Sequence, residues 1–232
     1  SQEHKVQGKL NLENCNHINR RIIEGIEFLQ NNSIAAEAFR LANAAMALQN
    51  SWIPERKASD LKWRPFQLGF ILLTIASLSD ETNRYRNTMD LLWFPTGGGK
   101  TEAYLALIAY ISLYRRLKEP KNPDDRTGVV AIMRYTLRLL TTQQLSTASA
   151  MIIACEAIRR GKTPLKPSKN LGKIPFSIGL WVGGGATPNS YQDYVKKKIP
   201  PSSTPDQLQY CPACKTKLKW WDDKYAQNRH VN

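Results

Sequence analysis

Trp93-Phe-Pro-Thr-Gly-Gly-Gly-Lys-Thr-Glu102 is the stretch on which the reading of this chain turns. Before it, Met89, Leu91, Leu92, Trp93 and Phe94 make a short apolar run that predicts a buried strand. After it, residues 102–117 are apolar and rich in Ala and Leu, as a packed helix is. Strand, glycine turn, lysine, hydroxyl residue and helix, in that order, make the phosphate-binding loop of a nucleotide hydrolase. Gly97, Gly98 and Gly99 let the backbone curl so that successive N–H groups converge on phosphate oxygens. A helix starting near Gly99 adds the positive end of its dipole to the same anion. Lys100 reaches the β and γ phosphates and the Thr101 hydroxyl takes a place on Mg²⁺, so these two are the candidate catalytic residues. Pro95 stiffens the approach to the turn, and Thr96 and Glu102 complete the candidate nucleotide-binding stretch. The strict pattern has glycine where Phe94 stands, so the match is to its second half.

The bulk composition narrows the function classes. The chain has 232 residues, 42% hydrophobic and 22% charged, enough for one full domain plus an attachment. Its 33 Lys and Arg against 19 Asp and Glu give a formal charge of +14, which points to a polyanionic partner, nucleic acid first. Four cysteines make no disulfide scaffold, and a reducing, cytoplasmic setting is expected. The apolar runs at 68–76 and 105–113 are too short to span a bilayer, and no membrane role is expected.

Along the chain, residues 1–60 read as a helical accessory segment, periodic from Ile18 to Leu29, with Ser33 as the candidate cap of a second helix. Residues 61–190 alternate in the α/β manner: a helix from Pro65 to about Leu78, strands at Met89–Phe94, Val129–Met133 and Phe176–Val182, and a long helix from about Leu137 to Arg160. Strands separated by helices imply a parallel sheet with right-handed crossovers. Residues 191–232 change character, with a lysine run at 196–198, a Pro/Ser stretch and a Cys pair, and read as a basic linker opening a zinc-ribbon-like insertion.

Three further constellations carry chemistry. Gln67, in Arg64-Pro65-Phe66-Gln67, can pair bidentately with adenine, so Arg64 and Gln67 join the nucleotide set. Arg134, Thr136 and Arg138 follow the second expected strand, at the end of a parallel sheet where ligands bind, and make a sequence-blind grip on DNA phosphates. Gly183-Gly184-Gly185-Ala186-Thr187 is either a second backbone contact, through Gly184 and Thr187, or a flexible turn. Cys211-Pro-Ala-Cys214 has the spacing that wraps two thiolates round Zn²⁺. Four ligands are needed and only His230 stands nearby as a third, so the pair is half of a zinc site or two free thiols.

Together these elements resemble the first RecA-like lobe of a superfamily 2 helicase. Arg64–Gln67 resembles the Q motif, residues 94–102 motif I, and residues 136–143 motif Ia, with matches at Arg138, Leu140 and Gln143 but not at Thr136, Leu137 or Leu139. Gly183-Gly184 resembles the GG element that follows. The wording Trp-Arg-Pro-Phe-Gln-Leu, Phe-Pro-Thr-Gly-Gly-Gly-Lys-Thr-Glu-Ala-Tyr and Met-Arg-Tyr-Thr-Leu-Arg-Leu-Leu is similar to the DrmA helicases of bacterial DISARM anti-phage systems. The resemblance covers roughly residues 35–190 and implies an ATP-dependent DNA motor in phage defence, acting with a DrmB-type partner.

No expected strand ends in the Asp-Glu pair of motif II, and Asp80-Glu81 precedes the phosphate loop, which is the wrong order. The second lobe is missing too, so the sequence reads as part of a longer motor that does not turn over ATP alone. Two other readings share the same letters: a phosphate-loop ATPase of signalling or assembly type that never touches DNA, and a DNA-binding module with a vestigial nucleotide site.

Overall fold

The computed structural model describes residues 2–95, 97–118, 128–135, 138–183, 187, 190, 192 and 207–218. Among them run five helices: α1 (Gln2–Asn31), α2 (Ser33–Ser51), α3 (Pro65–Ser79), α4 (Lys100–Leu117) and α5 (Arg138–Arg159), with a 3₁₀ turn at Ala58–Asp60. The chain divides into two compact units, one of Ser1–Met133 with Met151–Phe176, the other of Arg134–Ala150 with Ser177–Asn232.

The core of the first unit follows from helical spacing. α2 buries Ala35, Ala38, Leu41, Ala42, Ala45 and Met46, one face of a helix, and this small-residue face lets it pack closely on α4. α4 buries Leu105, Ala109, Tyr110, Leu113 and Leu117 in return. The cap of α2 is Asn32 rather than the expected Ser33: its side-chain oxygen accepts the Ala35 N–H at 2.9 Å, a role Asn fills as well as Ser does. Tyr110 carries its hydroxyl into the core by pairing it with the Ser79 hydroxyl at 2.7 Å, and burial holds the phenol protonated. Cys155, on α5, is fully buried, and burial pushes its thiol up to about 12.

α1 lies against α3 at a point that tolerates no side chain. A Cβ on Gly25 would stand 1.9 Å from the Leu72 carbonyl oxygen, so the two backbones touch there. Nearby, Arg21 makes two hydrogen bonds to the Asp90 carboxylate, at 2.5 and 2.8 Å, with its guanidinium 4.4 Å from the Tyr85 ring centre. Arg21 is only 5% exposed, so this bidentate pair ties α1 to the run that leads into the glycine loop. At the far end of the unit, Glu156 accepts from Arg159, Arg160 and the Phe176 N–H, while Arg159 also donates to the Gly172 carbonyl at 2.7 Å. The segment after α5 is thereby folded back onto it.

The expected RecA-like parallel sheet is overturned: no strand forms among the described residues. Met89–Phe94, Val129–Met133 and Phe176–Val182 have no regular secondary structure and no ladder partners. An apolar run becomes a buried strand only when neighbours bond its backbone and cover both of its faces. Here Met89, Leu91, Trp93, Val129, Ile132 and Trp181 stand between 78% and 99% exposed. The helices of the first unit pack on one another, α2 on α4 and α1 and α4 on α3, instead of on a sheet. Among the described residues β-type pairing is confined to one antiparallel bridge, Tyr210 with Lys217. No described helix is long and apolar enough to cross a membrane.

Gly25→Ala will force α1 off α3 and cost about 3 kcal/mol in a urea melt, the upper range for overpacking a tight contact. Glu156 offers a pH test. Hydrogen bonds from Arg159 come first among the causes that hold its carboxyl down to about 2 from an ordinary 4.5. A depressed carboxylate stabilises the fold above its unfolded value and loses that contribution as pH falls through its folded one. Stability should therefore fall between pH 4.5 and about 2 more steeply in the wild type than in Glu156→Gln, as followed by acid titration of the melting temperature.

Candidate functional site

The glycine loop opens α4 in a conformation that only glycine adopts readily. Gly97 and Gly99 have φ of 78° and 91°, and Gly99 is the residue that caps α4. No side chain caps this helix start, so the N–H groups of its first turn are left without a side-chain acceptor. Gly98 is required for a different reason: a Cβ there would meet the Phe94 ring at 2.4 Å.

Two side chains from the start of α3 fix the loop. Arg64 donates to the Gly98 carbonyl at 2.9 Å, and the Gln67 amide nitrogen donates to the Gly99 carbonyl at 2.7 Å. In a trans peptide the N–H points opposite to the C=O. Holding these two carbonyls towards α3 therefore aims the Gly99 and Lys100 N–H groups away from it, to one side. Gln67 is itself held, because its oxygen accepts the Arg64 N–H at 2.8 Å, and it is 6% exposed. An amide has two hydrogens and two lone-pair directions, so each end of Gln67 keeps one further bond for an adenine edge.

Lys100 is at the head of α4, and its amine donates to the carbonyls of Phe94 and of Pro95, the latter at 3.1 Å. Thr101 stands beside Lys100 in the first turn, half-buried, with Glu102 exposed next to it. Phe94 stacks on Phe66 with ring centres 3.9 Å apart and planes 11° from parallel. The aromatic residue that replaces the motif's first glycine is thus clamped to the α3 start. Neither this stack nor the Arg21–Asp90 pair has a local sequence signal, since the latter joins residues 69 apart.

The other sequence-predicted residues fall elsewhere. Thr96, Thr136 and Gly184 lie outside the described residues. Arg138 begins α5 and its side chain is not among those described, while Arg134 is exposed in the second unit. Thr187 lines a cleft of that unit with Leu145, Ser149, Ile178, Leu180, Gln207 and Leu208. Asp80, the mis-ordered acid, ends α3 and accepts both the N–H and the hydroxyl of Thr82, at 2.9 and 2.7 Å, which lowers its pKa and explains it as a turn residue. Cys211 and Cys214 share a short hairpin in the second unit.

Known proteins can now be set beside this geometry. No protein-family model matches the chain. Aligned over 231 residues, it is 38% identical to the DISARM protein DrmA of Bacillus paralicheniformis, covering 89% of this chain and 20% of that protein. The chain resembles DrmA. It spans about a fifth of the length of that curated relative. The alignment takes in residues of both compact units, so the likeness to DrmA is not confined to the glycine loop.

Gln67→Ala leaves the Arg64 N–H and the Gly99 carbonyl without partners. It should cost about 1–3 kcal/mol in stability, the usual result of orphaning buried polar groups. Urea unfolding measures this, and amide hydrogen exchange at Lys100 and Thr101 should quicken with it.

Proposed function

We propose that this chain is the nucleotide-handling part of an ATP-driven DNA helicase or translocase in DISARM anti-phage defence. One observation carries the proposal: two left-handed glycines, Gly97 and Gly99, open an uncapped helix whose first residue is Lys100 and whose loop carbonyls are turned aside by Arg64 and Gln67. Such a cradle presents backbone N–H groups, a helix dipole and an amine to one anion. The likeness to a protein named for DISARM supplies the defence setting.

In this reading ATP lies with its phosphates on Gly97–Lys100 and its adenine edge on Gln67. Pro95, Thr96 and Glu102 frame the loop, and Thr101 contributes one Mg²⁺ ligand. Lys100 leaves the Phe94 and Pro95 carbonyls for the β and γ oxygens, so the amine is poised within the site before the nucleotide arrives. DNA is the polyanion that a formal charge of +14 attracts, held without regard to sequence by Arg134, Thr136, Arg138, Gly184 and Thr187. A DrmB-type protein is the expected partner.

Lys100→Ala in the full-length protein should abolish DNA-stimulated phosphate release and leave the melting temperature within a degree or so, since the side chain is spent on exposed loop carbonyls. Turnover at the wild-type rate would remove the assignment. Arg138→Ala should weaken DNA alike across sequences and reduce the slope of log K against log salt by about 1. Fluorescence anisotropy over a salt series reads both quantities, and an unchanged slope would take Arg138 out of the DNA contact.

A further inference from the structure

We propose that Cys211 and Cys214 bind zinc as one half of a tetrahedral site, a role independent of the nucleotide reading. The hairpin around them is closed by three backbone bonds. Leu218 N–H donates to the Gln209 carbonyl at 2.8 Å, Cys211 N–H to the Thr216 carbonyl at 2.8 Å, and Lys215 N–H to the Cys211 carbonyl at 2.9 Å. The antiparallel bridge between Tyr210 and Lys217 lies between the first two. Lys215 takes the left-handed conformation, φ 59°, which lets the chain reverse directly after the second cysteine. A non-glycine residue held there costs energy and marks a turn that its surroundings impose. The Lys215 amine clips the same turn by donating to the Pro212 carbonyl at 2.7 Å.

The result is one tight hairpin that carries both cysteines on its turn. The Cys214 thiol donates to the Thr216 hydroxyl at 3.2 Å, which holds the second sulfur on the same hairpin. Both cysteines are free thiols rather than a disulfide, and two cysteines at this spacing supply two of the four ligands of a tetrahedral zinc. Redox-active Cys-x-x-Cys pairs draw their reactivity from a helix N-terminus. This pair sits instead on a hairpin, the shape that presents two sulfurs to one ion. Both cysteines are open to solvent, Cys214 fully and Cys211 in part, so an ion and its remaining ligands have access. Among the described residues no third His, Cys, Asp or Glu joins them, which makes the hairpin a contributor of two ligands out of four.

The full-length protein, purified without chelator, tests this by differential alkylation read by peptide mass spectrometry. Cys211 and Cys214 should resist iodoacetamide until a zinc chelator is added, while the exposed Cys15 reacts throughout. The zinc content of the Cys211→Ser/Cys214→Ser variant should fall by one equivalent per chain. Alkylation of the pair that ignores chelator, whether because the thiols are free or because they have become a disulfide, overturns the proposal. Equal zinc content in wild type and variant does the same, and the alkylation arm needs no variant to fold.

Discussion

The side-chain amide of Gln67 is the joint on which the candidate site hangs. It accepts from the backbone of its own helix start and donates to the carbonyl of Gly99, so one buried group fixes the first turn of α3 and the glycine loop against each other. A glycine loop has little conformational preference of its own. Its shape has to be imposed from outside, and each hydrogen bond of this kind contributes about 1 kcal/mol. Arg64 repeats the device one peptide earlier. The direction in which the loop offers its N–H groups is therefore set by α3, not by the loop.

That makes the placement of α3 decisive, and the packing provides for it from both sides. α4 anchors the chain leaving the loop, through its apolar face on α2 and its contact with α3. α1 meets α3 backbone to backbone at Gly25 and, through Arg21, grips Asp90 in the run that enters the loop. The Phe66–Phe94 stack adds a last contact immediately before the turn. The N-terminal helices and the glycine loop are one mechanical object, although only the loop carries recognisable letters.

The sequence was most legible where a period or a motif is local. Helical spacing and punctuation placed α3, α4 and α5 within a residue or two, because Pro65 and Gly99 mark starts by fixing or freeing backbone angles. At the glycine loop the letters pointed to backbone freedom, and Gly97 and Gly99 do take left-handed angles there. The extended runs were misread for a physical reason. Residues 89–94, 129–133 and 176–182 have the apolar composition of buried strands, but composition cannot say whether neighbouring strands are there to bond them. The same limit hid the Arg21–Asp90 pair, whose meaning exists only once α1 lies beside α3. Asn32, not Ser33, caps α2 because the two adjacent polar residues are equivalent in propensity and only the path of the chain separates them.

Cys155 gives the molecule a built-in clock. Its thiol is sealed in the core, and burial pushes its pKa up to about 12, so it has neither the access nor the thiolate that alkylation requires while the helices stay packed. Cys15, by contrast, stands in solvent. Under native conditions Cys15 and Cys155 are labelled on separate timescales, and the slower belongs to opening of the α5 end of the first unit. The rate of Cys155 labelling, set against that of an exposed thiol, reads out that opening with no introduced residue.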